Sequence, residues 1–345
     1  MTEFRVASFS QKDDPIEDFF AVPKLVEGLT QDQATAEAAG TRSLLAASNT
    51  YYRNADSRSF VAYRGDAPVG RLTGFHNRLL TDQHRRYGLV GLFACEDDVT
   101  AAQTLVKHVS AWLAERDLDA IRGPMAGDIW HRWRFMTRGF DRPPFPGEPR
   151  QPAYYPELFT GCVFAPVRTY STKSITALTA QLDLFAMADT LNAKRGYSFR
   201  GIDSDRWDAD LRHVYELCRH SFATTWSVTE TTFEEFADIY NRWLQRIGAD
   251  AIVLAIDPAG AVVGLGLSVV GPEDTLNIRT VAVLPHASGF GLGQAIAAEH
   301  YRRAIAVGKR KVRHCLMGPN TPPQFWDHGL GRVTREYTMY ERSVG

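Results

Sequence analysis

The chain has 345 residues, 44% of them hydrophobic and 23% charged, with a formal net charge of −1. That length exceeds a single small core, because domains run to roughly 100–200 residues, and the composition is that of a folded globular protein. The balanced charge and the lack of a long basic run argue against a general binder of nucleic acid or anionic lipid, and no apolar stretch is long enough to span a bilayer.

In chain order, the N-terminal residues MTEFRVASFSQKDD come first and lack an apolar signal core. FVAYRGDAPVGRLTGF (residues 60–75) then reads as two strands around a turn at Gly65-Asp66. YGLVGLFA follows as a buried strand, and residues 99–117 place Leu105, Val109, Trp112 and Leu113 at helical spacing. AIRGPM is a further short strand. The prolines of residues 140–159 predict an ordered loop without regular structure. RTYSTKSI closes this first series.

The same order then returns. AIVLAID and AVVGLGLSVVG flank a turn at Pro258-Ala259-Gly260, LNIRTVAVLP is a strand, residues 293–310 a helix, KVRHCLM a strand, and VTREYTMYER the last strand. Hairpin, strand, helix, strand, strand thus occurs twice, which predicts a duplicated unit of α+β class with largely antiparallel sheets flanked by helices. The boundary falls near residues 174–184, giving domains 1–175 and 176–345. Cys95, Cys162, Cys218 and Cys315 are too scattered for a zinc site, so reduced thiols, no metal and a cytoplasmic protein are expected.

The most informative segment is TVAVLPHASGFGLGQAIAAEH (residues 280–300). A strand ends at Pro285, glycines follow at every second position, and a helix begins at once. Glycine permits tight turns and close backbone approach, and a helix N-terminus offers unpaired N–H donors and partial positive charge. Together they make a phosphate site. No Lys-Ser/Thr pair follows the glycines, which excludes a Walker loop, and the spacing is wrong for a dinucleotide fingerprint.

Here the chain resembles the GCN5-related N-acetyltransferase (GNAT) superfamily, whose signature is a V-x-P strand, R/Q-x-x-G-x-G/A and a helix. Val283, Pro285, Ser288, Gly289, Gly291 and Gly293 carry the match, with Ser288 departing from the usual Arg or Gln. The first series resembles a second, degenerate copy, as in bacterial tandem-GNAT proteins. The resemblance implies two tandem GNAT-like domains and acetyl-coenzyme A, or another acyl-coenzyme A, as co-substrate. It also implies cofactor contacts from Val281, Val283, the loop Ser288, Gly289, Phe290, Gly291, Leu292, Gly293 and Gln294, and Asn320. Glu96, Asp97 and Asp98 stand where the first copy's glycines belong, so that copy is expected to bind no coenzyme.

The implied activity is direct acyl transfer to the amine of a small molecule in a ternary complex. The alternative is a non-catalytic module that binds acyl-coenzyme A or another ligand. Asn277 matches the position of a family glutamate base and, unable to take a proton, is left to orient a water. Phe325 and Trp326 stand near the place of the family's tyrosine acid, which leaves His328 and Tyr337 as catalytic candidates, with His314 and Asp327 behind them. For the acceptor the candidates are Phe222, Trp226, Arg132 and Arg134. The alternation of Trp and Arg at residues 130–134 fits an anionic group on a small acceptor better than single-stranded nucleic acid.

Overall fold

The computed structural model describes residues 3–82, 85–223 and 225–344. Its strands are β1 (Phe4–Ser10), β2 (Ala55–Arg64), β3 (Ala67–Asn77), β4 (Thr81–Asp82), β5 (Arg85–Cys95), β6 (Ala120–Gly123), β7 (Phe135–Arg138), β8 (Ala165–Ile175), β9 (Ser198–Arg200), β10 (Ile252–Ile256), β11 (Val262–Gly271), β12 (Thr275–Val283), β13 (Lys311–Met317) and β14 (Arg332–Ser343). Its helices are α1 (Glu17–Glu27), α2 (Gln31–Leu45), α3 (Val99–Ala114), α4 (Tyr155–Gly161), α5 (Leu178–Lys194), α6 (Trp207–Ser221), α7 (Phe233–Ile247) and α8 (Leu292–Ala306). The twofold order of hairpin, strand, helix, strand and strand is present as read: β2-β3, β5, α3, β6 and β8, then β10-β11, β12, α8, β13 and β14.

The strands form one continuous sheet in the order β1-β2-β3-β5-β6-β14-β8-β13-β12-β11-β10-β9, with β4 on β5 and β7 on β14. Every pairing is antiparallel except β5 with β6 and β12 with β13, one parallel contact in each half. The last strands of the two halves are traded. β14 pairs with β6, from Tyr340 opposite Gly123 to Ser343 opposite Ala120. β8 pairs with β13, from Val312 opposite Ile175. The cores follow the trade: Tyr337, Met339 and Tyr340 of β14 sit in the first half's apolar core, and Ile175 of β8 packs with Leu276, Ala297 and Val312 of the second.

Residues 140–159 depart from the sequence expectation. The segment is ordered, with Phe145 buried, but its end enters α4 at Tyr155. Pro156 lies in the first turn of that helix, where a missing N–H costs nothing. Tyr155 and Phe159 are buried against Phe93 and Phe135.

The Tyr155 hydroxyl donates to Glu27 at 2.9 Å. Burial pushes the Glu27 carboxyl up to about 7, against the pull of Tyr155 and Arg71. A carboxyl whose folded pKa lies above its ordinary 4.5 holds its proton more tightly when folded, so stability falls as pH rises from 4.5 to about 7. Glu27→Gln removes that titration. It is expected to stabilise the chain at pH 8 by up to about 3 kcal/mol and to have little effect near pH 4.5. Denaturant unfolding at the two pH values checks this, and a pH-independent difference would refute it.

Candidate active site

The loop between β12 and α8 combines a tight turn with a helix N-terminus. Leu284 N–H still donates to Val263, and a short turn at Pro285–Ala287 then carries the chain away from the sheet. Gly289 and Gly291 have φ of 90° and 76°, values that favour glycine. The first helical bond of α8 runs from Ala295 N–H to the Gly291 carbonyl. The amides from Gly289 to Gln294 therefore have no acceptor among the described residues, and they gather at the positive end of a 15-residue helix.

α5 braces this loop. The Asn192 side chain donates to the carbonyls of Phe290 (2.9 Å) and Ala188 (2.7 Å). The Arg195 guanidinium lies 3.8 Å from the centre of the exposed Phe290 ring. A cation from another element thus stands at the loop where the sequence departs from the usual Arg or Gln. Ser288 itself turns back, its hydroxyl donating to the Pro285 carbonyl at 2.7 Å.

Beside the loop the sheet opens. β12 and β13 pair only from Thr275–Lys311 to Ile278–His314. Arg279 is the extra residue of a bulge, because Ser268 of β11 faces Ile278 while Leu267 faces Thr280. Beyond it β13 bends toward β8, with Leu316 at φ 57° and Met317 opposite Ser171. Residues of an antiparallel strand address their neighbour alternately. Since Leu284 N–H serves β11, the amides of Val281 and Val283 face the opening. Trp326 lies beside Gly293 at its mouth, 3.3 Å from where a Cβ would stand.

Apart from His328, the side chains expected to do proton chemistry are engaged with other groups. Asn277 is fully buried, donating to the Val269 carbonyl at 3.1 Å and accepting from Cys315 Sγ at 3.9 Å. Tyr337 is also fully buried; its hydroxyl bonds Glu148 and Thr172, and burial holds it far above the usual phenol range. His328 is exposed at φ 44°, and Asn320 is exposed in the turn after β13 at φ 58°. His314 shares a hydrogen bond with the Tyr301 hydroxyl at 3.1 Å and is pushed down to about 4 by burial. Asp327 holds Lys173 at 2.8 Å, and burial pushes the Cys315 thiol up to about 12.

The first half reaches across instead. Residues 124–134 fold back on themselves through Ala126 N–H to Arg132 and Arg134 N–H to Pro124. Buried Asp128 fixes the tip by accepting from Trp130 N–H and from His131 Nδ1, both at 2.8 Å. Trp130 sits edge-on among Phe222, Phe236 and Tyr240, and the Tyr240 hydroxyl donates to its carbonyl at 3.2 Å. This loop therefore forms a wall against α6 and α7 of the second half. Arg134 lies under that wall, 3.7 Å from the Trp133 ring and 4.4 Å from the Tyr170 ring. Arg132 does not join it: its guanidinium binds Glu37 and, at 3.1 Å, Thr41 in the first half. Trp226 stands farther along the seam, 4.2 Å from the Arg122 guanidinium.

The first half's counterpart of the glycine loop is occupied by carboxylates. Asp98 caps α3 by accepting from Thr100 and Ala101 N–H, and Arg64 binds both Asp98 (2.7 Å) and Glu96. A cleft of about 570 Å³ opens there, edged by Leu25, Pro68, Glu96 and Asp97. Among the described residues no cluster of His, Cys, Asp and Glu is placed to hold a metal, and no helix is long and apolar enough to cross a membrane.

The open strand pair, the glycine loop and the duplicated order define the chain's class: it has the fold of the GCN5-related N-acetyltransferases, in tandem over its whole length. A tandem GNAT protein of the clavulanic acid biosynthesis pathway superposes with a TM-score of 0.54 at 13% identity, covering 99% of each chain. The GCN5-related N-acetyltransferase of Sphaerobacter thermophilus gives 0.54 at 15% identity over 99% of this chain and 96% of that one. A probable N-acyltransferase of Enterococcus faecalis V583 gives 0.57 at 12% identity, covering 99% of this chain and 73% of that chain. In sequence, the bacterial ceramide synthase of Caulobacter vibrioides (strain NA1000 / CB15N) is 23% identical over 197 residues, 56% of this chain. The match spans about half of that relative, 51% of its length. No known family model matches.

Proposed function

We propose that the chain is an acyl-coenzyme-A-dependent N-acyltransferase, moving an acyl group, acetyl in the first instance, onto the amine of a small molecule. The observation that carries this reading is the run of unspent amides from Gly289 to Gln294 at the start of α8, opening directly onto the gap between β12 and β13. Those amides and Arg195 would hold the pyrophosphate, and the open edge of β12 would hold the pantetheine arm. We take residues 1–175 as the half without coenzyme and 176–345 as the half that binds it, with their last strands traded.

The thioester brings an activated acyl carbon and a thiolate leaving group. The chain contributes position and polarity. The Val281 or Val283 N–H, fixed by the β11 ladder, donates to the carbonyl oxygen as negative charge gathers there. The amine attacks the acyl carbon, the C–S bond breaks, coenzyme A leaves as the thiolate, and the proton lost by the amine passes to water, which returns one to the thiolate. At the last paired rung of β12 and β13, His314 leaves Nδ1 without a partner, but burial pushes it down to about 4, too weak a base to take the amine's proton. The amine must therefore arrive unprotonated.

A consequence for pH follows. The kcat/KM for the acceptor is expected to rise tenfold per pH unit and to level off near the acceptor's own pKa. With two amines that differ in pKa, the break should move with the amine. A common break near pH 6–7 for both would mean that a protein base takes the proton. Free-thiol release with acetyl-coenzyme A and a panel of amines tests the activity itself. Coenzyme binding without thiol release on any amine would favour a binding module.

A further inference from the structure

Among the described residues five arginines are buried: Arg71, Arg122, Arg134, Arg313 and Arg335. Four have a carboxylate within 3.5 Å: Glu37 for Arg71, Asp82 and Glu341 for Arg122, Glu273 for Arg313, and Glu148 for Arg335. Arg134, 9% exposed, has none among the described residues. A buried cation without a counter-ion is unfavourable by several kcal/mol, so natural chains retain one where it has work to do.

Its surroundings point to that work. Arg134 Nη1 donates to the Leu316 carbonyl at 3.4 Å, which anchors it to the strand that bends away at the opening. Nε is buried and has no partner, and Nη2 makes no hydrogen bond among the described residues. Nε and Nη2 are the two donors of the guanidinium's side-on fork, spaced to meet two oxygens of one anion. Against the same guanidinium lies Tyr170, whose buried hydroxyl also lacks a partner. From the other side of the opening comes Arg279, the bulged residue of β12. Among the described residues it too has no carboxylate; its Nη1 donates to the Pro146 carbonyl at 3.3 Å and its guanidinium stands 5.3 Å from the Trp243 ring. Trp243 and Leu316 pack on one apolar cluster with Cys315, so the two cations border the same cluster. Burial and the charge of Arg279 lower Arg134 to about 10.

We propose that Arg134 and Arg279, with the Tyr170 hydroxyl, form an anion subsite for the acceptor, so that the amine acylated here carries a carboxylate or a phosphate a few bonds from its nitrogen. The proposal rests on the acyltransferase reading. It adds that the first half takes part in substrate choice, since Arg134 belongs to the first half and Arg279 to the second.

The test uses the full chain and two readouts. Thiol release is compared for matched amines: an amino acid against its methyl ester, and phosphoethanolamine against ethanolamine, with a long-chain amino alcohol as a neutral outlier. Ligand-observed NMR measures binding of the same compounds without turnover. One acid, carboxylate or phosphate, is expected to exceed its neutral partner about a hundredfold in kcat/KM, the effect of two charge-assisted bonds. In Arg134→Met, which preserves packing on Trp133, that preference should fall to within about fivefold while coenzyme A affinity stays unchanged. Arg134→Lys keeps the charge but not the fork, and should recover only part of it. Arg279→Met should weaken the acid's binding signal as well. Equal rates for acids and neutral partners, or a loss in Arg134→Met shared equally by all amines, would overturn the proposal. If no amine reacts, the acyltransferase reading fails, and NMR still decides the subsite: an acid signal lost in Arg134→Met supports it, and an unchanged or absent signal rejects it.

Discussion

Gly289→Asp is expected to lower coenzyme A affinity at least a hundredfold while leaving the folding transition in place. A Cβ at residue 289 meets nothing within 4 Å, and the φ of 90° is more tolerable for aspartate than for most residues. The new carboxylate would take up the loop amides itself, as an N-terminal cap does, and would face the incoming pyrophosphate with like charge. Losing two charge-assisted hydrogen bonds, each about 1.5–3 kcal/mol, gives the hundredfold figure. Gly289→Ala supplies the control for backbone strain alone. Gly291 is a poorer test than its place in the motif implies: its φ is 76°, and a Cβ there would stand 2.7 Å from Ala188 Cβ on α5, so Gly291→Asp should cost stability too. Titration calorimetry decides. Equal affinity in Gly289→Asp and the parent, both folded by circular dichroism, would remove this loop as the phosphate site.

Thr338→Pro should unfold both halves together. β14 has β8 along one edge and β6 and β7 along the other, and Thr338 faces Thr169 on one side and Phe135 on the other. Proline there deletes a ladder donor and forces its ring into a central strand, at a cost of about 3 kcal/mol or more. If the halves were independent, the first would survive. Hydrogen exchange read by mass spectrometry separates the cases. Peptides covering residues 55–77 and 252–271 are expected to lose protection at the same denaturant concentration. Persistence of protection in one of them would show that the traded strands do not couple the halves.

Much of this organisation was legible in the sequence, for a reason that also marks where reading stops. Local periodicity determines what a segment becomes, so the twofold order of elements and the glycine turn into α8 could be read directly. Periodicity says nothing of which neighbour a strand pairs with: β8 and β14 alternate in the same way whether traded or not. Matching positions to a family motif selects Asn277 and Tyr337 by residue type alone and cannot see that the fold buries both and gives them hydrogen-bond partners. The Tyr337 hydroxyl is taken by Glu148, 189 residues away in an irregular loop. Arg195 and Arg279, to which the proposals give roles, could not be singled out for the same reason. Neither lies in a motif, and each acquires meaning only from what the fold sets beside it. Arg132 and Arg134 look alike in sequence, yet the turn tied by Asp128 sends one to Glu37 and the other to the seam.

The traded strands also impose an order on synthesis. Arg122 of β6 finds its partner Glu341 on β14, 219 residues later. At typical elongation rates of about 5–20 residues per second, the first half waits on the order of ten to forty seconds with the edge of β6 unpaired. An open edge of this kind invites pairing with other chains. Production of this protein should therefore depend on chaperone supply and translation speed more than its folded stability suggests, and slowing the ribosome over the second half should lower the yield of soluble chain.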